Sequence, residues 1–394
     1  MLGALLAWEH GEGMGHVTTL KAVAEALSDR FTFDTALCDL THGNVLAGLC
    51  TPVQGPWLPM SEDYRISQGN PRRATWGEFL GDVGFRQPEI LRESITWWQG
   101  VMRECEISLV IGDCAPCALM AARGLEIPSI AISTGYLTPP PNMDRFPVLL
   151  PQYSTCIYDE AETVQIVNSA VAEFGLPPLK GLPEIYASSD QIVFSLDILD
   201  PYSAFRDRPP LPPMLGGDTE PAAEGDEIFV YFSNDDMKNP ELVEAICTLG
   251  PAVRLFVPQI DLALAAELIW RGVHVEADPV APALIARRSR ILVNAAQYGM
   301  TCLGFAAGLP QVAVPRDLEK QYNASVAASR GVMCPIDRQD ITVEGFRSIV
   351  LDAYEDAAMT RRARDLAEDL RPQFEVNQRK MIRRRVAAVM DYRV

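Results

Sequence analysis

Apolar residues arrive along this chain in two alternating rhythms. Short continuous apolar runs read as buried strands, and stretches of helical period lie between them. Strand-like runs fall at 2–8, 31–37, 108–112, 127–132 and 190–196, and again at 227–232, 254–257, 273–276, 290–293 and 311–314. Helix-like segments fall at 20–27, 115–124, 158–174, 241–249, 262–270 and 301–307, and 342–392 is largely helical by pattern. Strand and helix in alternation predict an α/β chain with parallel sheets covered by helices. Residues 51–100 are less regular. Residues 206–226 are dense in Pro, Gly and acid, including Pro209-Pro210 and Gly216-Gly217, which marks a linker. The expected division is a first domain over 1–205, the linker 206–226, a second domain over 227–375 and a closing helix over 376–394.

The strand ends carry the chemistry. After the first strand comes Glu9-His10-Gly11-Glu12-Gly13-Met14-Gly15-His16, whose glycines do not have the G-x-G-x-x-G dinucleotide spacing. Asp113 ends the 108–112 strand, where ligand sites of open parallel sheets lie. The stretch 290–324 is the densest in signals. A strand runs into the small-residue loop Asn294-Ala-Ala-Gln-Tyr-Gly-Met300, then a helix closed by Gly308 and Pro310. A strand, a tight turn and a helix N-terminus aim backbone N–H groups at an anion.

Composition narrows the classes. At 394 residues the chain has room for two domains, and 48% hydrophobic with 22% charged residues is the balance of a soluble globular protein. The apolar opening, residues 1–8, has neither preceding basic residues nor a cleavage site, so it reads as a strand and not a signal peptide. Nine cysteines, odd in number and irregular in spacing, do not form a disulfide framework, and a reducing cytoplasm is expected. Cys114-Ala-Pro-Cys117 has redox spacing, but nothing else resembles a thioredoxin unit, so helix packing is expected. A net charge of −18 argues against nucleic acid and against an anionic membrane surface, and a phosphate-bearing ligand would need a local positive pocket. No apolar run is long enough for stable membrane insertion. The basic run Arg379-Lys380 to Arg383-Arg384-Arg385 reads as a solvated helix face, or else as a clamp holding a helix against an acidic domain.

The stretch from Val293 to Ala324 resembles the donor-binding signature of nucleotide-sugar glycosyltransferases of the two-domain GT-B type. Gly299, Thr301, Gly308, Pro310, Gln321, Asn323 and Ala324 match. Ala295 stands at the family's diphosphate-binding His, Leu303 at its ribose-binding Glu and Lys320 at its acid before Gln, with Glu319-Lys320 a rival alignment for that last pair. Gly13-x-Gly15-His16 resembles the family's N-terminal entry, and Asp113 its strand-end acid.

The resemblance implies two Rossmann-like domains facing across a cleft and a final helix packing back on the first. It implies transfer of a sugar to a hydroxyl of a small, partly apolar acceptor, with His16 as general base oriented by Asp113. Donor contacts are expected from Ser233, Asn234, Gln297, Tyr298, Gly299, Met300, Thr301, Lys320 and Gln321, with Arg316 or Lys320 replacing the missing loop charge. Trp76 and Trp97, in a region holding Arg65, Arg72, Arg73 and Arg86, are expected to face the acceptor or to pack the core. No metal or cofactor is expected; the co-substrate is a UDP- or dTDP-sugar. His10, His42 and His274 lack metal-ligand spacing and are expected to be structural. Oligomeric state is left open. Two other readings remain. One is a GT-B protein that has lost transfer activity and serves as a binding or partner subunit, favoured by Ala295, Leu303 and Lys320. The other is a nucleotide-sugar epimerase, for which Glu9, Glu12 and Asp113 are the available carboxylates.

Overall fold

A computed structural model of the chain describes residues 1–11, 13–58, 73–153, 157–218, 220–250 and 252–391; Glu12, Arg65 and Arg72 lie outside the described residues. Two compact units result, one of Met1–Met214 with Val376–Val394 and one of Leu215–Glu375.

In the first unit the order is β1 (Leu2–Trp8), α1 (Met14–Leu27), β2 (Phe31–Leu37), β3 (Val53–Gln54), α2 (Trp76–Leu80), α3 (Pro88–Glu104), β4 (Leu109–Asp113), α4 (Pro116–Gly124), β5 (Ser129–Ser133), α5 (Glu160–Val171) and β6 (Asp190–Val193). The strands form one sheet in the order β3-β2-β1-β4-β5-β6, and their paired neighbours run parallel. Both faces of β4 and most of β1 are buried, which is why their sequences are apolar without alternation. Helix α1 starts earlier than the periodicity of 20–27 suggests, because Gly13, at φ 88°, turns the chain into the helix. Within the irregular 51–100 stretch, α3 buries Leu91, Ile95, Trp98 and Met102, an i, i+4, i+7, i+11 stripe. Helix α4 presents Ala118, Ala121 and Ala122 with Cys117, all buried small residues.

In the second unit β7 (Glu227–Tyr231), α6 (Pro240–Thr248), β8 (Val253–Phe256), α7 (Leu262–Trp270), β9 (His274–Val275), α8 (Pro282–Arg288) and β10 (Ser289–Asn294) come first. They are followed by α9 (Tyr298–Ala307), β11 (Gln311–Ala313), α10 (Leu318–Ser329), β12 (Met333–Pro335), α11 (Val343–Glu355) and α12 (Ala357–Phe374). The sheet order is β12-β11-β10-β7-β8-β9. Counted from its own first strand, this is the same 3-2-1-4-5-6 order as the first sheet. Each sheet therefore reverses direction of winding once, between β1 and β4 and between β7 and β10. A crevice opens at such a point because successive helices leave on opposite faces. The core of the second unit is built by Val230, Phe232, Leu255, Val293, Val312 and Phe346 among others.

The helical tail divides where acids cap new helices. Asp356 accepts N–H bonds from Ala358 and Met359 and starts α12. The last helix, α13 (Gln378–Asp391), packs on α1 and β6 of the first unit. Its basic run is a clamp. Buried Arg385 donates to Asp190 through Nε at 2.8 Å and through Nη2, and also to the Gln191 carbonyl. Arg383 reaches Asp29 and the Ala26 carbonyl at the C-terminal end of α1. No helix among the described residues is long and apolar enough to cross a membrane.

Candidate functional site

The reversal point of the first sheet brings His16 and Asp113 together. Trp8 and Asp113 are register partners at the ends of β1 and β4, so both chains turn out of the sheet side by side. His16 is the third residue of α1, and its Nδ1 lies 2.9 Å from Asp113 Oδ1. Both side chains are buried, and the imidazole stacks on the Trp8 indole with centroids 4.8 Å apart. A carboxylate at Nδ1 holds the proton there and presents Nε2 as the acceptor. Gly11, at φ 110°, lies over Nε2: a Cβ built on it would fall 2.2 Å from that nitrogen. Glycine adopts this backbone readily and puts no side chain into the His16 ring. The second oxygen of Asp113 is buried and has no hydrogen-bond partner among the described residues.

Glu9 is a second buried carboxyl at the same strand end. It accepts N–H bonds from Cys117 at 2.9 Å and Ala118 at 2.6 Å, capping α4 from across the sheet. Burial pushes its carboxyl up to about 8, against the pull of those two amides. Helix α4 has no cap of its own, because Ala115 precedes it. Cys114, at φ 45°, makes the sharp turn between Asp113 and that helix. Burial raises the Cys117 thiol well above its ordinary value, which disfavours the thiolate.

The other histidines stand apart from a carboxylate pair or from burial. His10 packs edge-on against Phe79, and burial lowers it to about 4, which keeps it neutral. His42 precedes a short 3₁₀ turn, and His274 is exposed on β9, 3.2 Å from Glu276. Trp76 is a core residue: it is 2% exposed, stacks on Phe79 and donates its indole N–H to the Tyr186 hydroxyl at 2.8 Å. Trp97 is half-buried on α3, edge-on to Trp98. Arg73 pairs with Asp82, and Arg86 lies over the Tyr158 ring.

At the reversal point of the second sheet, β10 leads through Ala295-Ala296-Gln297 into α9. Ala296 adopts φ 58°, unusual for alanine, and buried polar side chains hold it there. Asn294 Oδ1 accepts the Ala296 N–H at 2.6 Å, Asn323 donates to the Ala296 carbonyl, and Gln297 Oε1 accepts the Ala295 N–H. Gln311, fully buried, donates to Asn294's neighbour helix at the Thr301 carbonyl and accepts from Asn294 Nδ2. Helix α9 begins at Tyr298, three residues before the apolar period, and carries no side-chain cap. A helix leaves its first amides without internal acceptors, and those of Gly299 and Met300 fall at this uncapped end. Gly299 is exposed and has open space where a side chain would stand. Thr301 is buried, and its hydroxyl has no partner among the described residues.

The departures from the donor signature have a structural setting. Ala295 is fully buried, and Leu303 packs inward with Phe229, Phe256, Ile285 and Leu309. Both positions face the core of this unit. Lys320 pairs with Asp317, the N-cap of α10, and Arg316 lies 3.4 Å from Asp235. Gln321 is half-buried, and its buried Oε1 has no partner among the described residues. At the end of β7, Ser233 bonds Asp236 at 2.7 Å, and Asn234 donates to the carbonyls of Pro258 and Gln259. Those two side chains tie the turn itself. Gly11, Asn294 and Gln311 complete the two strand ends and were not singled out from sequence. For Asn294 the available signal is a polar residue at the C-terminal end of an apolar strand; Gln311 opens β11 and Gly11 follows β1, and neither carries that signal.

Comparison with known proteins gives one consistent result. No family model matches the chain, and no curated protein matches by sequence. Solved structures do match. The calicheamicin glycosyltransferase CalG4 aligns over 99% of this chain and 98% of its own with a TM-score of 0.71 at 16% identity. The glycosyltransferase VinC in complex with dTDP aligns over 100% of both chains with a TM-score of 0.65 at 15% identity. The spinosyn rhamnosyltransferase SpnG complexed with spinosyn aglycone aligns over 95% of this chain and 97% of its own, with a TM-score of 0.63 at 14% identity. The chain has the α/β, two-unit GT-B fold of these proteins.

Proposed function

We propose that this GT-B chain is a glycosyltransferase that moves a sugar from a nucleotide-sugar donor to a hydroxyl of a small, partly apolar acceptor. The observation that carries the reading is the buried His16–Asp113 pair at the reversal point of the first sheet, 2.9 Å apart, with glycine at position 11, where a side chain would collide with Nε2.

The first unit supplies the base. His16 Nε2 takes the proton of the acceptor hydroxyl as its oxygen attacks the anomeric carbon, and Asp113 stabilises the imidazolium that forms. The bond from the anomeric carbon to the diphosphate oxygen breaks in the same step. The second unit supplies the leaving-group site. The uncapped N-terminus of α9, with the amides of Gly299 and Met300, suits a developing diphosphate charge. Arg316 and Lys320, which follow β11, each lie beside an acid, so the helix end takes the larger share of that charge. The donor is a UDP- or dTDP-sugar; VinC was solved with dTDP, and SpnG with an aglycone, which supports a diphosphate donor and a natural-product-like acceptor here.

The test has two independent arms. UDP and dTDP are screened by thermal shift, since a ligand of the native state raises the melting temperature. His16→Ala is then assayed for transfer, with a loss of about 10²–10⁴-fold expected on removing a general base. Full activity in His16→Ala removes the mechanism. No shift with either diphosphate favours the second reading, a protein of this fold that has lost transfer and serves as a binding or partner subunit, for which Ala295 at the signature's His position is the supporting observation.

A further inference from the structure

We infer that the second unit pairs with a second copy of this chain through α7, two such helices lying antiparallel about a two-fold axis at Ala266. The helix reads LALAAELIW, apolar at every position but Glu267. A helix of that composition belongs inside a protein, yet Leu268 is its only buried residue. Leu262 is 84% exposed, Ile269 57% and Trp270 86%. At 100° per residue, Leu262, Ala263, Ala266, Ile269 and Trp270 share one face, opposite the anchor Leu268. The helix is held by one edge and turns a continuous apolar stripe away from its own unit.

Three features select a copy of the chain as the occupant. Antiparallel pairing about Ala266 sets Leu262 against Trp270 of the partner subunit. Large side chains then meet at both ends, and a small one allows close approach at the centre. The area is adequate: three large side chains this exposed, with the alanines, offer on the order of 500 Å² per copy, reaching the roughly 1,000 Å² total that a specific interface needs. The surroundings are acidic. Asp261 and Glu267 flank the stripe, and Arg271 is bound to Glu244 at 2.7 Å in a chain of net charge −18. An anionic lipid surface is repelled by such a rim.

The experiment is sedimentation equilibrium of the full chain from about 1 to about 100 µM, a range that brackets the affinity of a small interface. The expected result is a doubling of mass with micromolar dissociation. Leu262→Ser with Trp270→Ser should weaken association about a hundredfold while leaving the circular dichroism and melting temperature unchanged. Ala266→Arg alone and Ala266→Glu alone should each be monomeric, and their equimolar mixture should recover the doubled mass, because the two-fold sets residue 266 against itself. A monomer at every concentration overturns the inference, as does a doubled mass that survives Leu262→Ser/Trp270→Ser. A mixture that stays monomeric refutes the antiparallel register. A monomer that floats with phosphatidylcholine vesicles assigns the stripe to lipid instead. None of these residues belongs to the proposed transfer site, so either outcome is independent of that reading.

Discussion

Replacing Glu9 by Gln tests whether a buried carboxyl caps α4 in its protonated form. The carboxyl accepts two amide N–H bonds, from Cys117 and Ala118, and burial moves it from 4.5 up to about 8. Its folded value exceeds its unfolded value, so the stability it contributes is fully present below about 4.5 and is lost as the pH rises through about 8. At about 1.4 kcal/mol per pH unit, that window is worth about 5 kcal/mol. Gln cannot titrate, and its amide N–H₂ must face one of the two backbone N–H groups, which costs about 1–2 kcal/mol. Glu9→Gln should therefore be less stable than the parent by about that amount at low pH, below about 4. It should be more stable by about 3 kcal/mol near pH 8.5. Urea unfolding of both proteins across this range measures the difference, in which the other titrating groups cancel. His10 is one of these and has the opposite sign. Its lowered value contributes stability above 6.5 that is lost as the pH falls through about 4. A difference that stays constant with pH would refute the reasoning, because Glu9 would then be ionised throughout and cap the helix as a carboxylate.

Gly11→Ala should cut transfer by about 100-fold or more, because the new Cβ must displace the His16 ring. It should also cost about 1–2 kcal/mol of stability from the φ of 110°, read by kcat and denaturant midpoint together. Gln297→Asp puts a capping carboxylate at the open end of α9. Affinity for UDP or dTDP should fall at least about tenfold by calorimetry while the melting temperature holds or rises, since a cap stabilises the helix and repels an anion. Arg385→Ala leaves Asp190 with the more distant Arg208 as its cation among the described residues, and should cost about 3 kcal/mol in urea unfolding; the double variant with Asp190→Ala should recover part of that loss.

The alternation of apolar runs with helical periods determined both Rossmann-like sheets, because a strand buried on two faces has few ways to be written. It also determined where the chemistry would gather, since His16, Asp113 and the 294–301 loop all follow strand C-termini. Other features depend on groups distant in sequence. That β1 lies beside β4, and β7 beside β10, is a matter of strand order, and it alone brings His16 within 2.9 Å of Asp113 across 97 residues. Packing decided that Leu303 and Ala295 face the core and that Trp76 spends its indole N–H on Tyr186. It also turned the C-terminal arginines, which the charge pattern reads as a solvated face, into a clamp on Asp190 and α1. Periodicity records which face of an element avoids water; only the folded chain determines which partner that face meets, and so which polar groups must be satisfied there.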